Sequence, residues 1–202
     1  MTLTLLHTAD AHVATFDRLR DTLAPGLALR HVVRPDWLED ARRAGIGPAL
    51  DTALAELIGT AGGTVICTCT TLGPAAERHG AIRVDRPMMQ AAGRIGGRIV
   101  MAYALDSTRQ PSLDLLTACL DGRSEARPLD LTAFWPAFEA GETARFHSLI
   151  AGAVRAELAD RGGDCVVLAQ ASMAGAADLL GDLPCPVLTS PALALRAGTG
   201  PV

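Results

Sequence analysis

Short apolar runs alternate along this chain with longer stretches in which apolar residues recur at helical spacing. That alternation is the pattern of βα units laid on a largely parallel sheet, whose strands are buried on both faces and so read as continuous apolar segments. Strands are predicted over residues 3–6, 28–33, 65–69, 99–104, 165–169 and 187–189, with a shorter one at 82–84. Between them, residues 48–58 place Leu50, Leu54, Leu57 and Ile58 on one helical face. Residues 142–158 do the same with Phe146, Leu149, Ile150, Ala153, Val154 and Leu158. Both are core-facing helices with polar backs.

The chain also repeats itself. A shift of 101 residues brings Ala55-Glu56-Leu57 onto Ala156-Glu157-Leu158, Gly62 onto Gly163, Val65 onto Val166 and Ala75-Ala76 onto Ala176-Ala177, seven identities in 23 positions. The same shift sets Thr71 against Ser172, Leu72 against Met173 and Cys69 against Gln170. After a short gap, the segment from Ile82 lies against that from Pro186, with Pro87 over Pro191. The order helix, glycine turn, strand, loop, helix, strand therefore occurs twice, which predicts two pseudo-symmetric α/β halves. The glycine- and arginine-rich passage from Ala91 to Val100 reads as the connection between them. The halves are predicted as residues 1–94, joined by the C-terminal segment 187–202, and residues 95–186.

Composition narrows the class. A chain of 202 residues that is 49% hydrophobic with a net charge of -4 is long enough for a substantial core, and its arginines are scattered. It lacks the basic cluster with which proteins track phosphates, so no nucleic-acid partner is expected. Without an 18-residue apolar stretch or the charged start and long apolar core of a secretory signal, a cytoplasmic protein with no membrane partner is expected. The five cysteines, at positions 67, 69, 119, 165 and 185, form no even framework. Cys67 and Cys69 lack a second pair at ligand spacing, so no metal is predicted.

In parallel α/β sheets, the loops leaving the carboxyl ends of strands face the ligand, because helix N-termini and free backbone N–H groups converge there. Cys69-Thr70-Thr71 occupies such a place. Proximity to the positive end of the next helix is expected to lower the thiol pKa from about 8.5 toward neutrality, making Cys69 a base or nucleophile. Thr70 and Thr71 can offer hydroxyl and N–H donors to a carboxylate. The competing reading is that Cys69 is packing, as free cysteines usually are; Cys67, Cys119, Cys165 and Cys185 are read that way. Other strand ends contribute Ser107 and Thr108, Ser172 and Thr189 as hydroxyl donors, with a helix-capping role as the alternative for Ser107 and Thr108.

Taken in order, "CTCTTLG", "IRVDRPMMQAAGRIGGRIVMAYALDST" and "VVLAQASMAGAADLLGDLPCPVLTSP" resemble the aspartate/glutamate racemase superfamily, with its hydantoin racemase, arylmalonate decarboxylase and maleate isomerase relatives. The resemblance spans nearly the whole chain. It implies two α/β halves with a small active site in the cleft between them, and catalysis with no cofactor or metal. Racemases of the family flank the substrate carbon with two cysteines. The first matches Cys69, followed by Thr70 and Thr71, whereas the second falls at Gln170, beside Ser172 and Met173. An amide neither takes nor gives a proton at ordinary pH, so the second thiol is lost. His7 and Thr8 stand where family members carry an acidic residue after the first strand, and His7 is either a replacement acid/base, an orienting group or a hydrogen-bonded structural histidine.

The resemblance thus implies a racemase- or isomerase-like enzyme acting next to the carboxylate of a small acid or amino acid, with Cys69 as the proton-transfer residue. The alternatives are a decarboxylase or lyase of the same superfamily, or a protein that binds a small carboxylate without turnover. A homo-oligomer is left open.

Overall fold

A computed structural model describes residues 2–122 and 124–200. The elements run β1 (Thr2–His7), α1 (Ala11–Leu23), β2 (Ala28–Val33), α2 (Pro35–Ala44), α3 (Pro48–Thr60), β3 (Val65–Cys67), α4 (Gly73–Arg78), β4 (Ile82–Arg83) and α5 (Arg86–Ile95). They continue with β5 (Arg98–Tyr103), α6 (Asp106–Cys119), β6 (Glu125–Asp130), α7 (Trp135–Glu139), α8 (Thr143–Arg161), β7 (Cys165–Leu168), β8 (Val187–Thr189) and α9 (Ser190–Thr199). Short 3-10 segments cover Thr132–Phe134 and Ala171–Leu180.

All strand pairs are parallel, and they form two four-stranded sheets of the same order, β2-β1-β3-β4 and β6-β5-β7-β8. The protein is therefore α/β with two like sheets, as the repeat predicts. Unit 1 comprises the residues up to Pro87 together with those from Pro191 onward, and unit 2 runs from Met88 to Ser190.

Within unit 1, strand alternation divides the core. Leu6, Val65 and Cys67 pack with Trp37, Leu50, Leu54, Ala75 and Ala76 of α2, α3 and α4. Leu3, Leu5, Ile66 and Val84 pack with Phe16 of α1 and with Ala194 and Leu195 of α9. Successive side chains of a strand point to opposite faces, so helices cover both sides of the sheet. In unit 2, Val100, Ala102, Val166 and Leu168 meet Phe146, Ile150 and Val154 of α8. Leu50, Leu54, Phe146, Ile150 and Val154 of the predicted faces thus point into the cores, Leu57, Ile58, Ala153 and Leu158 pack at the margins, and Leu149 is half-buried.

Three local readings differ from the pattern-based expectation. Strand β6, Glu-Ala-Arg-Pro-Leu-Asp, was not predicted, because it is an edge strand with half its residues polar and a proline inside. Proline lacks the ladder donor and is tolerated where one side is unpaired. The passage from Ala91 to Val100, read as a connection, is helical in its first half. α5 continues to Ile95, and Gly96 and Gly97 turn the chain into β5 at φ of 70° and 78°. A Cβ on Gly97 would stand 2.8 Å from Asp164 Oδ2, so both conformation and space require glycine there. Finally, sheet register pairs Cys67 with Arg83 and Leu168 with Thr189. β4 and β8 therefore correspond with Arg83 on Thr189, two residues away from the alignment that set Pro87 over Pro191.

Candidate functional site

The two units share a backbone scheme at their strand ends. Thr68 N–H donates to Leu6 O and Ala169 N–H to Ala102 O, both at 2.9 Å, while Arg34 N–H donates to His7 O and Leu131 N–H to Tyr103 O, both at 2.8 Å. Cys69 and Gln170 consequently occupy equivalent positions two residues beyond paired strand residues, as the 101-residue shift implies. By the same register, His7 corresponds to Tyr103 and Thr8 to Ala104.

In unit 1, Cys69 is buried at 6% exposure. Burial pushes its pKa up, the reverse of the predicted fall toward neutrality. Opposing that, the Thr8 hydroxyl, the backbone N–H groups of Leu72 and Thr71 and the Thr71 hydroxyl hydrogen-bond to the sulfur. The dipole of α4 does not offset this burial, because α4 has only six residues and desolvation penalises a thiolate more than one short helix favours it. The resting sulfur is thus a protonated thiol surrounded by donors that stabilise the thiolate left when its proton departs. Cys67 differs. Burial pushes its pKa up as well, and its thiol makes a weak S–H contact of 3.5 Å to Cys69 O. Cys165 is pushed up to about 12 by burial and the nearby Cys185.

Thr70 is buried, and its carbonyl accepts from Gly73 N–H at 3.2 Å, closing the turn into α4. Gly73 in turn makes room for Arg83: a Cβ there would lie 3.1 Å from Arg83 Nε. Arg83 stands at the end of β4 and forms a two-pronged pair with the fully buried Asp85, Nε to Oδ1 at 3.0 Å and Nη2 to Oδ2 at 2.8 Å. Burial nevertheless raises the Asp85 pKa. Neither residue was singled out from sequence, though an Arg-x-Asp pair ending a short apolar strand is the available signal.

His7 is fully buried at the end of β1, with Nδ1 2.8 Å from Thr68 Oγ1 and Nε2 2.8 Å from His31 Nδ1. Burial, followed by the neighbouring His12 and His31, lowers its pKa to about 3. His31, in β2, reaches Asp17 of α1. These partners were missed, although a histidine set directly before two valines in an edge strand is a visible anomaly.

In unit 2, the side-chain oxygen of Gln170 accepts from Ala104 N–H at 2.6 Å. With the oxygen engaged, the amide has its two N–H groups to offer. Tyr103, missed from sequence, is buried beside Asp130, to which it hydrogen-bonds, and its pKa is raised by burial and that carboxylate. Thr108 is buried, with its hydroxyl donating to Leu105 O in the first turn of α6, and Ser107 lies half-buried in that turn. The N-cap residue of α6 is Leu105, so neither hydroxyl holds the predicted capping position. The Ser172 carbonyl accepts from His147 Nε2 at 3.0 Å. Met173 lies wholly within the unit 2 core, and Thr189 is half-buried at the end of β8. Unit 1 thus gathers Thr8, Cys69 and Thr71 around one sulfur, while unit 2 holds Gln170 and Ser172 at a strand end.

Among the described residues, no group of three or more histidine, cysteine or acidic side chains is arranged to hold a metal ion, and no helix is long and apolar enough to cross a membrane. No protein-family model matches the sequence, and neither does any curated protein. Solved structures do. The chain is similar to an aspartate racemase from Picrophilus torridus (13% identity, TM-score 0.68, 98% of this chain and 94% of that one). It is similar to allantoin racemase from Pseudomonas fluorescens (12%, 0.69, 98% and 89%). Unliganded arylmalonate decarboxylase matches at 16% identity and a TM-score of 0.53, over 98% and 91%. At such identities the likeness concerns the backbone, and it shows that this chain has the fold shared by the aspartate/glutamate racemases and arylmalonate decarboxylase.

Proposed function

We propose that the protein is an enzyme of the racemase superfamily that transfers a proton at the carbon next to the carboxylate of a small acid or amino acid, with Cys69 as the transferring group. The observation that carries this reading is the contrast between two neighbouring thiols. Cys67 has the surroundings of packing, whereas Cys69 has hydroxyl and N–H donors from Thr8, Thr71 and Leu72 around its sulfur. Donors around a sulfur are of little use to a resting thiol and stabilise the thiolate formed when it gives up a proton.

A second reading is favoured by two specific features. Cys69 rests protonated, and its counterpart Gln170 can donate hydrogen bonds but not protons. One-way protonation of a carbanion formed by loss of CO2 requires a single acid, whereas inversion of a stereocentre requires two groups on opposite faces. Decarboxylation therefore suits this pair of residues better than two-thiol racemisation.

The test is incubation of a panel of small carboxylic and amino acids, including malonates, in D2O with wild-type protein and Cys69→Ser. Solvent deuterium should enter next to the carboxylate on one face, and Cys69→Ser should abolish incorporation. Alkylation of Cys69 by iodoacetamide should also slow when an accepted acid is present. Incorporation that persists in Cys69→Ser would remove the thiol from the chemistry.

A further inference from the structure

Four side chains of unit 1 form one continuous hydrogen-bonded chain from a half-exposed carboxylate to a buried hydroxyl. Asp17 Oδ1 lies 3.3 Å from His31 Nε2, His31 Nδ1 lies 2.8 Å from His7 Nε2, and His7 Nδ1 lies 2.8 Å from Thr68 Oγ1. Thr68 Oγ1 is also 3.0 Å from Leu6 O. A hydroxyl has one proton and each neutral imidazole has one, so only certain arrangements satisfy the chain. In the neutral arrangement, Thr68 donates to His7 Nδ1, His7 donates from Nε2 to His31, and His31 donates from Nε2 to Asp17. In the arrangement with one more proton, Thr68 turns its hydroxyl to Leu6 O, His7 donates from Nδ1 to Thr68, and His31 carries both of its protons between His7 and Asp17.

We propose that His7, His31 and Asp17 act as a single relay base, in which a proton received at His7 Nδ1 displaces the Nε2 proton to His31 so that the charge comes to rest beside Asp17. The added proton comes from a solvent hydronium, whose O–H bond breaks and leaves water. One N–H bond forms at His7 Nδ1, the Nε2–H bond of His7 breaks, one N–H bond forms at His31 Nδ1, and His7 is neutral before and after with its tautomer reversed. The arrangement overcomes what burial forbids. An imidazolium at His7 would have no exposed surface and two histidine neighbours, and its pKa is accordingly lowered to about 3. His31 is the better place for the charge, with 17% of its side chain exposed and the Asp17 carboxylate alongside.

The groups facing the relay are few. His12 of α1 is centred 6.1 Å from the His7 ring and is held neutral by burial, with its pKa lowered to about 4. Phe16 packs on His7 at 5.6 Å and carries no charge. Arg20 shares Asp17 at 3.5 Å and pairs more closely with Asp21 at 2.6 Å. In this scheme His31 and Asp17 are positioning residues that determine which nitrogen of His7 bears the proton.

The inference concerns the free protein and stands independently of the reaction at Cys69, so its test reads proton positions rather than turnover. Protein labelled with 15N-histidine, followed by two-bond 1H–15N correlation NMR from about pH 8 downward, reports the tautomer and charge of each ring. His7 should remain neutral while its proton moves from Nε2 to Nδ1, with the same midpoint as the charging of His31. In Asp17→Asn, a surface change, the reversal should move to lower pH because the charge on His31 has lost its partner. In His31→Gln, reversal should be lost. A wild-type His7 whose tautomer stays fixed down to the pH at which the protein unfolds would overturn the proposal, as would an unchanged midpoint in Asp17→Asn.

Discussion

Acid should destabilise unit 1 through two buried histidines, and the size of the effect follows from their surroundings. His7 is fully buried, with its pKa lowered to about 3 by burial and the adjacent His12 and His31; burial holds His12 at about 4. Both titrate near 6.5 in the unfolded chain. Between the folded and unfolded values, the unfolded state binds protons that the folded state refuses, so stability is full above the unfolded pKa and falls as pH drops through the window. At about pH 4.5 the unfolded value has been passed by about two units, at about 1.36 kcal/mol per unit, which makes each histidine cost about 2.5 kcal/mol relative to pH 7. Their sum, about 5 kcal/mol, is comparable with the whole stability of many domains. His7→Asn should remove about half of that pH dependence while costing about 1–3 kcal/mol at neutral pH for the bonds to Thr68 and His31. The assay is urea unfolding at the two pH values. The fluorescence of Trp37, buried in the unit 1 core, would be followed in a Trp135→Phe background so that only unit 1 is read. If the drop between the two pH values is the same in His7→Asn as with His7 present, His7 is not the neutral buried group described, and the relay built on it fails as well.

Asp85→Asn should cost about 3–5 kcal/mol, because it removes the buried carboxylate paired with the Arg83 guanidinium; replacing both partners with apolar residues of similar volume should cost much less, as a double-mutant unfolding series would show. Cys165→Ser should lower stability by about 1–3 kcal/mol by burying a hydroxyl within the apolar unit 2 sheet. Cys69→Ser should cost less, since Thr8, Thr71 and Leu72 already offer that position hydrogen bonds; equal shifts in melting temperature for the two variants would contradict the environment described for Cys69.

Much of this architecture follows from local pattern. Buried parallel strands such as Val65–Cys67 and Cys165–Leu168 must be apolar on both faces, and helices such as α3 and α8 must be apolar on one. Both requirements are written in residue order. The internal repeat adds the equivalence of Cys69 and Gln170, because it depends only on spacing. The edge strand Glu125–Asp130 escapes such reading, because it meets a neighbour on one side only and carries proline and charge at little cost. The register of Arg83 on Thr189 escapes it too, since a slip of two residues preserves the alternation of faces and leaves no trace in hydropathy. Tertiary structure alone decided the state of the site. The pKa of Cys69 depends on how completely water is excluded from its sulfur, and the relay from Asp17 through His31 and His7 to Thr68 joins residues from α1, β2, β1 and the turn after β3. Desolvation and hydrogen-bond direction depend on every atom that surrounds a group, and those atoms come from segments far apart in the chain.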